Sequence, residues 1–180
     1  MAVKLGAKNV TSEDDLGGAN RPLPGRYHVV VKHADDSMEK VDKVIVEFQV
    51  LSGTTPGQED KVITEMFALT EKAVVRLERL AVCIGLLKCG QDDVEIDFAQ
   101  AEGRQLVIEL AERSYEKDGQ KKTIVALTFA GMWSVGNPAV EDVPKNHDAI
   151  RLMQEAGQTA NDGDPAPAPV AAGNDKWADL

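Results

Sequence analysis

The residues that staple small extracellular folds or build metal sites are scarce in this chain. Two cysteines, Cys83 and Cys89, can form neither a disulfide framework nor a zinc ribbon. Both are expected as buried free thiols. Three scattered histidines, His28, His33 and His147, leave a structural metal short of ligands. No run approaches the ~18 apolar residues of a membrane helix, and the opening residues contain no apolar signal core. A cytoplasmic protein that avoids membranes is therefore expected. Excess positive charge is missing too. Thirty acidic side chains against 20 basic ones give −10 and an isoelectric point near 4.8, which excludes the uniformly basic surface of a histone-like coat. Enzyme signatures are also lacking: no Gly-rich phosphate loop joins a strand to a helix, and neither Gly-x-Ser-x-Gly nor His-Glu-x-x-His occurs. The expectation is a non-enzyme that needs no cofactor. What remains is substantial, since 43% of 180 residues are hydrophobic, enough for one domain with a core and tails.

Residues 1–24 read as a flexible arm, polar and broken by Gly17-Gly18, Pro22 and Pro24. From Gly25 the pattern becomes period-two. Arg26–His33 places Tyr27, Val29 and Val31 on one face, and Lys43–Leu51 places Val44, Val46, Phe48 and Val50 on one face. A turn cluster, Ser52–Gly57, precedes a third strand near Lys61–Ala68. Helical spacing then takes over: Ala73, Leu77, Leu80, Ile84 and Leu87 form one apolar stripe. Thr70 suits an N-cap and Gly90 a stop, so a helix is expected over 70–88.

An acidic loop follows, then strands at Arg104–Ser114 and Thr123–Met132, joined by a tight turn at Asp118-Gly119. The last strand is apolar enough on both faces to be central. Phe48, Phe67 and Phe129 are assigned to the core. Three strands, one helix and two strands over residues 25–135 match an OB-fold, a mainly β five-stranded barrel with its helix between strands 3 and 4. An open α+β sheet is the alternative, because closure leaves no local mark. Residues 136–156 read as a short helical extension. Residues 157–180 read as a disordered acidic tail rich in Pro and Ala, ending in Asp175-Lys176-Trp177-Ala178-Asp179-Leu180. Large apolar residues among acids at that tip suit partner docking.

The basic residues are better organised than the net charge implies. Arg113–Lys122 holds four cations against two carboxylates, plus the ring of Tyr115. In an OB-fold this hairpin borders the oligonucleotide groove, where cations track phosphates and rings stack on bases. Candidate phosphate contacts are Arg26, Lys32, Lys43, Arg104, Arg113, Lys117, Lys121 and Lys122. Candidate stacking rings are Tyr27, Tyr115 and Trp133. Asp92, Asp93, Glu95 and Asp97 form the densest acidic group, but their spacing fits no calcium loop and a solvated loop is expected.

Gly25-Arg26-Tyr27 opening the first strand, Gly103-Arg104 before the fourth, the strand–helix order and the acidic tail with an apolar tip resemble phage-encoded single-stranded-DNA-binding proteins. The resemblance covers about residues 22–134 and the last six. It implies an OB-fold that coats single-stranded DNA during replication, recombination and repair, with possible self-association. It also implies a tail that recruits replication or recombination proteins, here through Asp175, Trp177, Asp179 and Leu180. Family members end in an aromatic residue, whereas here the aromatic is Trp177 and Leu180 is last. Two rival readings stand beside it: a phage structural or adaptor module that touches no nucleic acid, and a small nuclease using Asp92–Asp97 with Mg²⁺.

Overall fold

The computed structural model of the chain describes residues 21–35, 43–117 and 119–158. Residues 1–20 of the expected arm and the tail carrying Asp175, Trp177, Asp179 and Leu180 lie outside the described residues. Each run of alternating apolar residues becomes a strand: β1 (Gly25–Asp35), β2 (Lys43–Gly53), β3 (Val62–Ala68), β4 (Gln105–Lys117) and β5 (Gln120–Trp133). All pairings are antiparallel, and they make one sheet of order β3-β2-β1-β4-β5. The inward residues Tyr27, Val29, Val31, Val46, Phe48, Leu106 and Ile108 are fully buried. This is the outcome a one-sided hydrophobic alternation enforces, because a one-residue slip would turn the whole set to water.

The expected closure into a barrel is not drawn by these pairings. The sheet ends at β3 on one side and β5 on the other. Helix α1 (Val74–Cys83) packs against both of those end strands, and Leu77, Leu80, Ala81 and Cys83 are buried. Arg76 ties the two edges. Its guanidinium donates to the Glu65 carboxylate on β3 at 2.7 Å and to the Leu127 carbonyl on β5 at 3.1 Å, and it lies 5.1 Å from the centre of the Phe67 ring. A helix therefore occupies the seam that strand-to-strand hydrogen bonds would have to cross.

That helix is shorter than the apolar stripe predicts. Thr70 contributes its carbonyl, not its side chain, to the first turn, accepting from the amides of Ala73 and Val74. The helix stops at Gly85 instead of Gly90, since Gly85 adopts φ +74°. Leu86 N–H then returns to the Ala81 carbonyl and Gly85 N–H to that of Val82, a Schellman closure that satisfies the last carbonyls.

Strand β5, expected to be central, is an edge. Its pairing with β4 jumps from Ile108↔Met132 to Leu110↔Leu127, so residues 128–131 bulge. The jump reverses the alternation, and Phe129, assigned to the core by its spacing, is 64% exposed. The bulge closes around Gly131, where a Cβ would run into Thr128 Oγ1 and lie 2.7 Å from Glu109 Cβ.

The segment after β5 lies back across the outer face of β1 and β4. Helix α2 (His147–Glu155) is capped by Asn146, whose side chain accepts from the amide of Ala149. His28, fully buried, accepts the Asn146 N–H at Nδ1 (3.1 Å), so Nε2 carries the proton and donates to Gln105 Oε1 (3.0 Å). Gln105 in turn donates to the Ala149 carbonyl at 2.7 Å. Val140 and Val143 bury themselves on Val107 beside Trp133. No helix among the described residues is long and apolar enough to cross a membrane.

Candidate nucleic-acid interface

The long β4–β5 hairpin sorts its own charges. Register pairs Tyr115 with Lys122, Arg113 with Ile124 and Lys117 with Gln120. Side chains alternate along each strand and directly paired residues share a face. One face therefore carries Arg113, Tyr115 and Lys117 from β4 with Gln120, Lys122 and Ile124 from β5. The other face carries Glu112, Ser114 and Glu116 with Lys121, Thr123 and Val125. Leu110 and Leu127, buried on that second side, mark it as the inward continuation. The first face thus gathers three cations and an aromatic ring 38% exposed, with no carboxylate from Ala111 to Lys117 or from Gln120 to Ala126. Lys121 belongs to the opposite face, directly across from Glu116.

Arg26 and Trp133 stand at the base of this face. Arg26 is paired in register with Glu109, two residues before Ala111 on the same side of β4. Its Nε donates to Glu109 Oε1 at 3.2 Å, its Nη1 lies 3.8 Å from Asp142, and its guanidinium sits 5.5 Å from the Trp133 ring centre. Trp133 is half-buried and packs against Val107, Val140 and Val143. The indole is therefore already in contact with a cation and with an apolar cluster, and a stacked base would have to displace one of them.

Three other candidates lie elsewhere. Lys32 is the extra residue of a β1 bulge between the pairs Val31↔Phe48 and His33↔Glu47, which turns both Lys32 and His33 to solvent. His33 Nδ1 is 2.6 Å from Glu102 Oε1. Lys43 opens β2 and is paired with Ala68. Arg104 is pinned: Nε donates to the Gln100 carbonyl and Nη1 to the Ile84 carbonyl, and burial lowers its pKa. Because β1 and β4 are antiparallel, all three sit at the end of the sheet away from Arg26. Six β1 residues, roughly 20 Å, separate Arg26 from Lys32. The single groove expected to collect every cation is thus split into two groups at opposite ends of the sheet.

Tyr27 is corrected outright. Its ring is fully buried beneath β2, its hydroxyl donates to the Leu23 carbonyl at 2.7 Å, and burial raises its pKa. It is a core residue with a satisfied polar end. The two thiols divide: Cys83 is buried, with its pKa pushed up to about 12 by desolvation, while Cys89 is exposed. Asp97 caps the 3₁₀ turn Phe98–Ala101 by accepting from the Ala99 amide. Among the described residues, no three His, Cys, Asp or Glu side chains are grouped to hold a metal ion.

Two features escaped the sequence reading: the His28–Gln105–Asn146 connection and the Arg76 tie across the seam. Each joins residues more than 50 positions apart through hydrogen bonds that leave no periodic trace. Comparison with protein-family models and with curated proteins finds no match for this chain.

Proposed function

We propose that this chain is a sequence-tolerant single-stranded-DNA-binding protein on an OB-type scaffold, in which α1 stands in the seam between β3 and β5. The strand order β3-β2-β1-β4-β5, with the helix between β3 and β4, supports the scaffold. The sorted hairpin carries the functional reading: Arg113, Lys117 and Lys122 flank Tyr115 on a face free of carboxylates. Cations at that spacing suit successive phosphates, and the phenol ring offers a platform to any base. Arg26, released from Asp142, would extend the track toward Trp133. Coating of single strands in phage replication and recombination, and recruitment of partners by the tail around Trp177, complete the proposal.

The test is a mobility shift of labelled oligo-dT against duplex, with and without Mg²⁺. Retardation of single strands alone is expected, and it should weaken in Arg113→Glu, Lys117→Glu and Lys122→Glu. Three phosphate contacts give a slope of log K against log salt of about −2, and each reversal flattens it by about 0.7. An absence of any shift would favour the adaptor reading. Cleavage that requires Mg²⁺ would favour the nuclease.

A further inference from the structure

A groove of ≈ 620 Å³ runs between α1 and the loop 91–98, and no residue of the hairpin lines it. Its floor is apolar, with Leu77, Ala81, Leu87 and Phe98 among the lining residues. Its rim is anionic: Glu78, Asp92, Asp93 and Glu95 line it, and no Lys or Arg does. An occupant of matching chemistry needs a few apolar side chains on one side and cations on the other.

The chain itself contains such a segment. Val3-Lys4-Leu5-Gly6-Ala7-Lys8-Asn9-Val10 holds two lysines, and no acid occurs before Glu13. In extended backbone Val3, Leu5 and Ala7 fall on one side, with Lys4 and Lys8 on the other. Reach is sufficient. The described chain begins at Arg21, whose carbonyl accepts from Lys61 Nζ beside the start of β3. The seven residues of β3 then lead about 23 Å toward α1, whose first residue, Val74, lines the groove. The ten residues 11–20 span up to roughly 33–36 Å. We propose that residues 3–10 dock in this groove of their own chain, apolar side chains on the floor and Lys4 and Lys8 against the acidic rim. This surface is separate from the DNA face, so the inference stands or falls without it.

Carbodiimide coupling of the full chain at low concentration, followed by peptide mapping, reads the docking directly. Intramolecular links from Lys4 or Lys8 to Glu78, Asp92, Asp93 or Glu95 are expected. Leu5→Gln neither adds nor removes an amine or carboxylate, and Glu78→Gln with Asp93→Asn adds none while leaving two rim carboxylates. Either variant should lower the yield at Asp92 and Glu95 by roughly two- to tenfold, the scale of two exposed ion pairs. Links spread over surface acids without preference for the rim would overturn the proposal, as would a yield unchanged in Leu5→Gln. Links that form only between chains and rise with concentration would assign the segment to a second copy instead.

Discussion

Phe67 and Phe129 stand on the two end strands of the sheet, one buried under Arg76 and α1, the other open to water. Their neighbours in sequence are equally apolar, so spacing alone assigns both to the core. A three-residue surplus in β5 separates them. His28 is the converse case, a polar residue on the outward side of β1 that becomes fully buried because α2 is laid over it. Burial holds its pKa at about 4, below the ordinary 6.5. Between those values the unfolded chain takes up the proton and the native protein does not. Stability is therefore complete above pH 6.5 and is lost as the pH falls toward 4, by up to about 3 kcal/mol from this residue. Protonation at Nδ1 also removes the acceptor for the Asn146 amide. Urea unfolding at pH 7.5, 6 and 4.5 should show the descent, and His28→Gln should flatten it. An equal descent in the variant would place the acid sensitivity in other groups.

At the level of elements, the β4–β5 hairpin shows how much a register conveys. Its composition, four cations and a ring with two acids, is visible in the sequence, and so is the turn at Asp118-Gly119. The separation of Glu112 and Glu116 from Arg113, Tyr115 and Lys117 is a simple consequence of alternation, and it holds because β5 pairs with no slip from Leu127 to Gln120. If this face binds single strands, Tyr115→Ala removes a stacking platform worth about 1–3 kcal/mol, roughly a five- to 150-fold loss of affinity. Tyr27→Phe, by contrast, should leave binding unchanged, since that ring never reaches the surface. Fluorescence titration of labelled oligo-dT with both variants separates the two tyrosines. Unchanged affinity in Tyr115→Ala would mean that the face has been drawn on the wrong side of the hairpin.

For the molecule as a whole, the question is what holds the two ends of the sheet together without strand pairing between them. Arg76 bridges the two: its guanidinium hydrogen-bonds to the Glu65 carboxylate on β3 and to the Leu127 carbonyl on β5. Arg76→Ala leaves Glu65 without its cation and should cost about 1.5–3 kcal/mol, the scale of hydrogen bonds to charged groups. The urea midpoint measures this, and faster amide exchange in β3 and β5 than in β1 would localise it to the seam. Unchanged exchange at both edges would show that apolar packing of Leu77 and Leu80 suffices. The five strands, the helix between the third and fourth, and the helical stretch after β5 were legible in the chain, because period-two and helical spacing are local and each repeats over seven or more residues. The β5 bulge, the burial of His28, the pinning of Arg104 and the division of the cations between two ends of the sheet were not. They depend on which residues meet across long stretches of chain, and hydrogen bonds between distant partners carry no periodic signature. Alternation says which side of a strand faces in; pairing with other strands and the cover laid over them settle which outward residues still meet water.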